Sequence, residues 1–102
     1  LQRAQRALVG AVSADGDGSN DFFHIICLEY FLNNNVKIFN RAGQLVYEQD
    51  YYDMTDPNRR FNGYSNKGAT VMGTELPIGT YFYVVDKNDG SKPKVGYLEL
   101  NR

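Results

Sequence analysis

Tryptophan is absent from this 102-residue chain, and histidine and cysteine occur once each, at His24 and Cys27. A single thiol excludes an intrachain disulfide, so the fold must stand on its apolar core. On a strand, residues three apart point to opposite faces, which argues against a thiolate–imidazole pair and makes Cys27 a small core residue. No Gly-x-Ser-x-Gly, His-Glu-x-x-His or phosphate-loop pattern occurs, and no two carboxylates stand out for acid–base work. Charge of one sign is also lacking. Eleven Lys and Arg face twelve Asp and Glu, for a formal net charge of -1, without the positive field that nucleic-acid or anionic-membrane binding needs. No apolar run reaches the length of a membrane-spanning helix. The expectation is a module with no catalytic centre, no resident cofactor, no nucleic-acid partner and no membrane span. The chain opens at Leu1 rather than Met, which suggests a piece of a longer or processed protein, with any export signal upstream.

What is present favours strands. The length suits one domain with a modest core. Eight Tyr, six Phe and many Val and Ile are strand formers, and ten Gly set among Asn and Asp supply turns. Residues 1–7 are helix-tolerant but too short to hold a helix alone, and read as a linker or tag remnant. Residues 8–102 then form the domain. Leu8–Val12 is a weak first strand. Phe22–Leu28 is strongly apolar, with both faces at least partly covered. The Asn33-Asn34-Asn35 triplet interrupts the pattern. Val36–Glu48 reads as a hairpin across an Asn40–Gly43 turn, in which Gly43 takes the left-handed conformation. Tyr51–Lys67 is irregular, Ala69–Gly73 is a short edge strand, and Thr80–Val85 and Val95–Leu100 close the chain. Roughly seven strands at intervals of about 8–12 residues predict an all-β, Ig-like antiparallel β-sandwich.

Three local patterns bear on function. In Leu76-Pro77-Ile78-Gly79-Thr80-Tyr81, a Tyr begins a strand after a Pro/Gly turn, the place where Ig-like sandwiches return the hydroxyl to the preceding turn. Tyr81 is the corner candidate, with Tyr83 on the same side; the plainer reading makes both ordinary strand aromatics. In Ser13–Asp21, two readings stand side by side. Asp15, Asp17 and Asp21 hold oxygens for a calcium ion, or the loop is a turn whose Asp and Asn side chains satisfy local N–H groups. The twelve-residue calcium loop fails in either register. Counted from Asp15, Asn20 stands at the glycine position and Ile26 at the glutamate position; counted from Ser13, the loop ends on His24. Finally, Tyr51, Tyr52, Phe61 and Tyr64 either form an exposed aromatic patch or plug one end of the sandwich.

Taken in order, the acidic loop Ser13–Asp21, the hairpin Val36–Glu48, the strand Leu76–Val85 and the terminal Gly96–Arg102 resemble the gliding-motility-associated C-terminal domain. This is the type B sorting domain of the Bacteroidetes type IX secretion system. That family shows a Ser-Pro-Asn-Gly-Asp-Gly-x-Asn-Asp loop, an Ile-Phe-Asn-Arg-x-Gly-x-Leu-Val-Tyr-Glu hairpin, a Trp-Asp-Gly turn and a Leu-Pro-x-Gly-Thr-Tyr-Phe-Tyr strand. Here Ala14 and Asp15 replace Pro and Asn, and Phe61-Asn62-Gly63 replaces Trp-Asp-Gly. The resemblance implies a non-catalytic C-terminal sorting signal. It would direct an upstream cargo domain of the same chain through the periplasm and, by way of the type IX machinery at the outer membrane, to the cell surface or medium. It points to Asn40, Arg41 and Gly43 of the turn, and Gly96, Tyr97, Leu98, Asn101 and Arg102 of the last strand, as recognition residues. The alternatives are an Ig-like adhesion or carbohydrate-binding module, which needs an exposed aromatic platform, and a small hydrolase, which needs a cleft of converging polar groups.

Overall fold

The computed structural model describes residues 11–13, 31–67 and 74–101. Among these there is no helix, and the chain is all-β. Strands β1 (Ala11–Ser13), β2 (Asn35–Phe39), β3 (Leu45–Asp50), β4 (Gly79–Asp86) and β5 (Lys94–Asn101) form one sheet in the order β1-β5-β4-β2-β3. The predicted hairpin is β2 and β3, and the two predicted closing strands are β4 and β5. Predicted strands Phe22–Leu28 and Ala69–Gly73 lie outside the described residues. So do residues 1–10, the Asp15, Asp17 and Asp21 carboxylates, His24, Cys27 and Arg102.

Two expectations are corrected. The sheet is not wholly antiparallel: β1 runs parallel to β5, with Ser13 opposite Asn101, so Ser13 closes a strand rather than opening the loop. A parallel neighbour needs a long crossover, which the wide separation of β1 and β5 along the chain provides. Nor does the Asn triplet simply interrupt. Asn35 opens β2 opposite Asp50, and Asn34 is a buried brace. Its side-chain amide donates to Phe31 O at 2.8 Å and Tyr52 O at 3.3 Å, and accepts from Tyr52 N at 2.8 Å. Its own carbonyl accepts Tyr51 N at 2.9 Å. Asn34 thus continues the β2–β3 ladder past Asp50 and steers Tyr52 inward, while Tyr51 takes a left-handed φ of 55°.

Period-2 alternation puts Val36 and Ile38 of β2, Tyr81, Tyr83 and Val85 of β4, and Leu98 and Leu100 of β5 on one buried face. In β3, Val46 and Tyr47 are buried in succession. The register shifts there, with Ile38 opposite Tyr47 and Phe39 opposite Leu45. The extra residue of this bulge lets two neighbours face the same way. Tyr52, Phe61 and Leu76, from the irregular stretch and the turn before β4, cover this inner face. Each such side chain taken from water is worth about 1.5–3 kcal/mol. Phe61 meets the Tyr47 ring edge-on at 5.0 Å and its N–H donates to the Tyr52 hydroxyl at 2.9 Å. The predicted end plug is therefore made of Tyr52 and Phe61, whereas Tyr51 and Tyr64 are exposed.

Candidate recognition site

Recognition by another protein needs exposed groups held in a fixed arrangement, and the hairpin turn supplies one. Gly43 N donates to Asn40 O and Asn40 N to Gln44 O, each at 2.9 Å. Gly43 sits at a φ of 84°, a conformation costly to any residue with a Cβ. The Asn40 side chain locks the loop, accepting from Ala42 N at 3.0 Å and Gln44 N at 2.9 Å and donating to Gln44 Oε1 at 2.8 Å. Asn40 is thereby a brace, and Arg41 is the exposed charge it presents.

The Leu76–Tyr81 corner stands beside this turn. Tyr81 buries its ring and donates its hydroxyl to Pro77 O at 2.6 Å, as the corner reading predicted. Asn40–Ala42 and Pro77–Tyr81 flank a shallow groove of about 270 Å³. Ile78 stands 66% exposed at its rim. Gly79 pairs with Leu100 across the ladder, so the end of β5 and Asn101 complete the same end of the sheet. Three blocks far apart in sequence converge here. The proximity of Ile78 to Arg41 was not legible beforehand. The local signal was an apolar residue between Pro77 and Gly79, where a turn ordinarily carries a polar one.

The other strand candidates divide between the two faces of β5. Tyr97 is 62% exposed, while Leu98 is completely buried. Gly96 lies under Tyr83: a Cβ placed there would come within 2.5 Å of the Tyr83 hydroxyl oxygen. Gly96 lets the Tyr83 ring cross β5, and Leu98 anchors the strand. Both act from beneath the surface that Tyr97 and Asn101 present.

Parts of the sheet edge are covered. β5 carries β1 along Glu99–Asn101, so its C-terminal half is not an edge strand. On β3, the Asn66 side chain imitates a peptide group. Its carbonyl accepts Glu48 N at 2.9 Å and its amide donates to Glu48 O at 3.0 Å. Asn66 N and Lys67 N both donate to Val46 O, and the Arg59 guanidinium reaches Asp50 O. Covering an edge in this way suppresses unwanted strand addition.

At the opposite end lies a hollow of about 790 Å³ among Leu32, Asn34, Tyr51, Met54 and Arg59. Its polar groups are engaged in closing loops. Arg59 lies 5.7 Å from the Tyr51 ring centre and 3.7 Å from the Asp56 carboxylate. Asp53 accepts from the Thr55 hydroxyl and N–H, which holds its carboxyl below the ordinary value. The strongest displacements are of phenols: burial pushes Tyr47 and Tyr52 well up and Tyr83 upward. These phenols belong to the core. The Tyr47 hydroxyl has no hydrogen-bond partner among the described residues. Among those residues, no group of three His, Cys, Asp or Glu is placed to hold a metal ion, and no helix is long and apolar enough to cross a membrane.

A family model described as the CHU_C type IX secretion signal domain matches residues 7–100. Comparison with curated proteins and with solved structures finds no match.

Proposed function

The chain belongs to the CHU_C type IX secretion signal domain family, and from that premise we propose that the secretion machinery reads the end of the sheet where the hairpin turn meets the Tyr81 corner. The domain is a sorting signal: it marks the protein that carries it for type IX secretion, toward the cell surface or medium. Within that role, the reading assigns display to Arg41, Tyr97, Asn101 and Arg102. Rigidity comes from Asn40 and Gly43, and Gly96 and Leu98 support the surface from below. The domain is non-catalytic. It completes an Ig-like sandwich of about seven strands once Phe22–Leu28 and Ala69–Gly73 are counted. Its cargo is an upstream part of the same protein, which crosses the periplasm and then the outer membrane.

The observation that carries this reading is the meeting of Asn40–Ala42 and Pro77–Tyr81 along one groove, at the end of the sheet where Leu100 of β5 pairs with Gly79. Turn and groove recognition suits a folded signal whose β3 edge is covered by Asn66, Lys67 and Arg59, because adding a strand there would first require removing the cover. The test is a secreted reporter fused to the full chain in a bacterium with a type IX system. Arg41→Glu combined with Ile78→Ser alters only exposed side chains, so the fold should stand. The expected result is reporter held in the periplasm. Surface or medium levels equal to those of the unaltered fusion would defeat the assignment.

A further inference from the structure

The outer face of the sheet is apolar where a solvated face ordinarily carries polar residues. Register places Phe39 opposite Phe82 and Phe82 opposite Tyr97, an aromatic row across three strands. The next row is Lys37, Val84 and Val95. Phe82, Tyr97 and Val95 are 45%, 62% and 72% exposed. Exposed apolar rows of this kind mark protein-binding surfaces, and large aromatics are the side chains that most often anchor them.

Charge frames the stripe. Thr80 donates to Glu99 at 2.6 Å at one end. At the other, Asn35 bridges Glu48 and Asp50 at 3.0 and 2.8 Å, and lies opposite Asp86. On the outer-face positions of the described strands, four carboxylates therefore flank the rows, against one lysine. That lysine, Lys37, is already 3.7 Å from Glu48. The whole chain is nearly neutral, so this acidity is a local property of the face.

We propose that the outer sheet face, centred on Phe82 and Tyr97, docks a protein partner whose apolar surface is rimmed by lysine and arginine. Complementary charge around an apolar centre speeds and orients association, and the basic rim would answer Glu48, Asp50, Asp86 and Glu99. The inference rests on the sorting reading and extends it, making this face a docking surface for the secretion machinery beside the turn groove.

The test uses the same reporter fusion with the full chain. Phe82→Thr with Tyr97→Thr keeps strand formers while removing the aromatic row. Asp86→Lys with Glu99→Lys reverses the frame. Tyr64→Ser alters an exposed aromatic elsewhere. Loss of the row should cut export at least about tenfold. Frame reversal should cut it several-fold, and Tyr64→Ser should leave it unchanged. The melting temperature of the row variant should stay within about 5 °C of the parent, because exposed side chains contribute little to stability.

Undiminished export of both the row and frame variants overturns the proposal. A larger fall in melting temperature also overturns it, since the chain's own segment would then be covering the row. So does a dimer that the row variant converts to monomer in sedimentation, because the occupant would then be a second copy. If the parent fusion is not exported at all, the sorting reading falls and this one with it. If only Arg41→Glu with Ile78→Ser is exported normally, the turn assignment falls alone.

Discussion

The two faces of the β2–β4–β5 sheet are made by the same three strands with the same alternation, yet they have opposite fates. On the inner face Ile38, Tyr83 and Leu98 are buried; on the outer face Phe82, Val95 and Tyr97 stand in solvent. Composition does not separate them, since both are rich in aromatic and β-branched residues. What separates them is cover. Tyr52, Phe61 and Leu76 close the inner face, and no comparable group among the described core residues lies over the outer one. An apolar row under cover contributes stability. The same kind of row in the open contributes affinity for whatever replaces the water.

That contrast is strongest at Phe61. Phe61→Ala should cost about 3–5 kcal/mol, because it empties a fully enclosed volume against Tyr47 and Tyr52. Denaturant titration measures it, and a loss below 1 kcal/mol, an amount typical of surface changes, would mean the inner face is not closed. Alkali attacks the same face. Burial raises the Tyr47 and Tyr52 phenols above their ordinary value of 10.0, so their neutral forms are favoured in the folded state. That stability is fully present below pH 10 and is lost as pH rises through the higher native values. The expected signature is cooperative unfolding above pH 10 together with phenolate absorbance. Phenolate appearing near pH 10 for every Tyr, with the fold intact, would contradict it.

Smaller effects sharpen the comparison. Gly96→Ala should cost about 1–3 kcal/mol, since its methyl group meets the Tyr83 ring. Near-ultraviolet circular dichroism or thermal melts would show this, and a neutral result would mean that Tyr83 does not cross β5. Tyr81→Phe removes one hydroxyl donor from Pro77 O and should cost about 1 kcal/mol. Crystals or amide exchange should then find the Leu76–Gly79 corner looser; an unchanged stability and corner would reduce Tyr81 to an ordinary strand aromatic. Val95→Thr on the outer face should change stability by no more than about 0.5 kcal/mol. A cost comparable to that of Gly96→Ala would erase the difference between the faces.

Much of the sheet was legible because its signals are local. Val36–Glu48 announced a hairpin through alternation and Gly43, and Thr80–Val85 through its unbroken strand formers. Tyr81 was legible as a corner because Pro77 and Gly79 fix the turn it answers. Asn34 was not, since Asn in a polar triplet reads as loop, and its value lies in matching the backbone groups of Tyr52, far along the chain. Asn66 was missed for the same reason: its amide caps Glu48, a partner that sequence spacing does not suggest. The residues proposed for recognition were legible only as motif blocks. Nothing in their spacing distinguished Tyr97 pointing outward from Leu98 pointing inward.

Residue order alone settled the strand-forming stretches of β2 to β5 and the left-handed turn at Gly43, because these depend on neighbours within a few bonds. Tertiary structure decided that β1 lies parallel to β5, that Asn34 and Asn66 substitute for ladder partners, and which apolar face is closed. Those outcomes turn on contacts between segments distant in the chain, where register and cover, rather than local preference, determine whether a side chain meets protein or water.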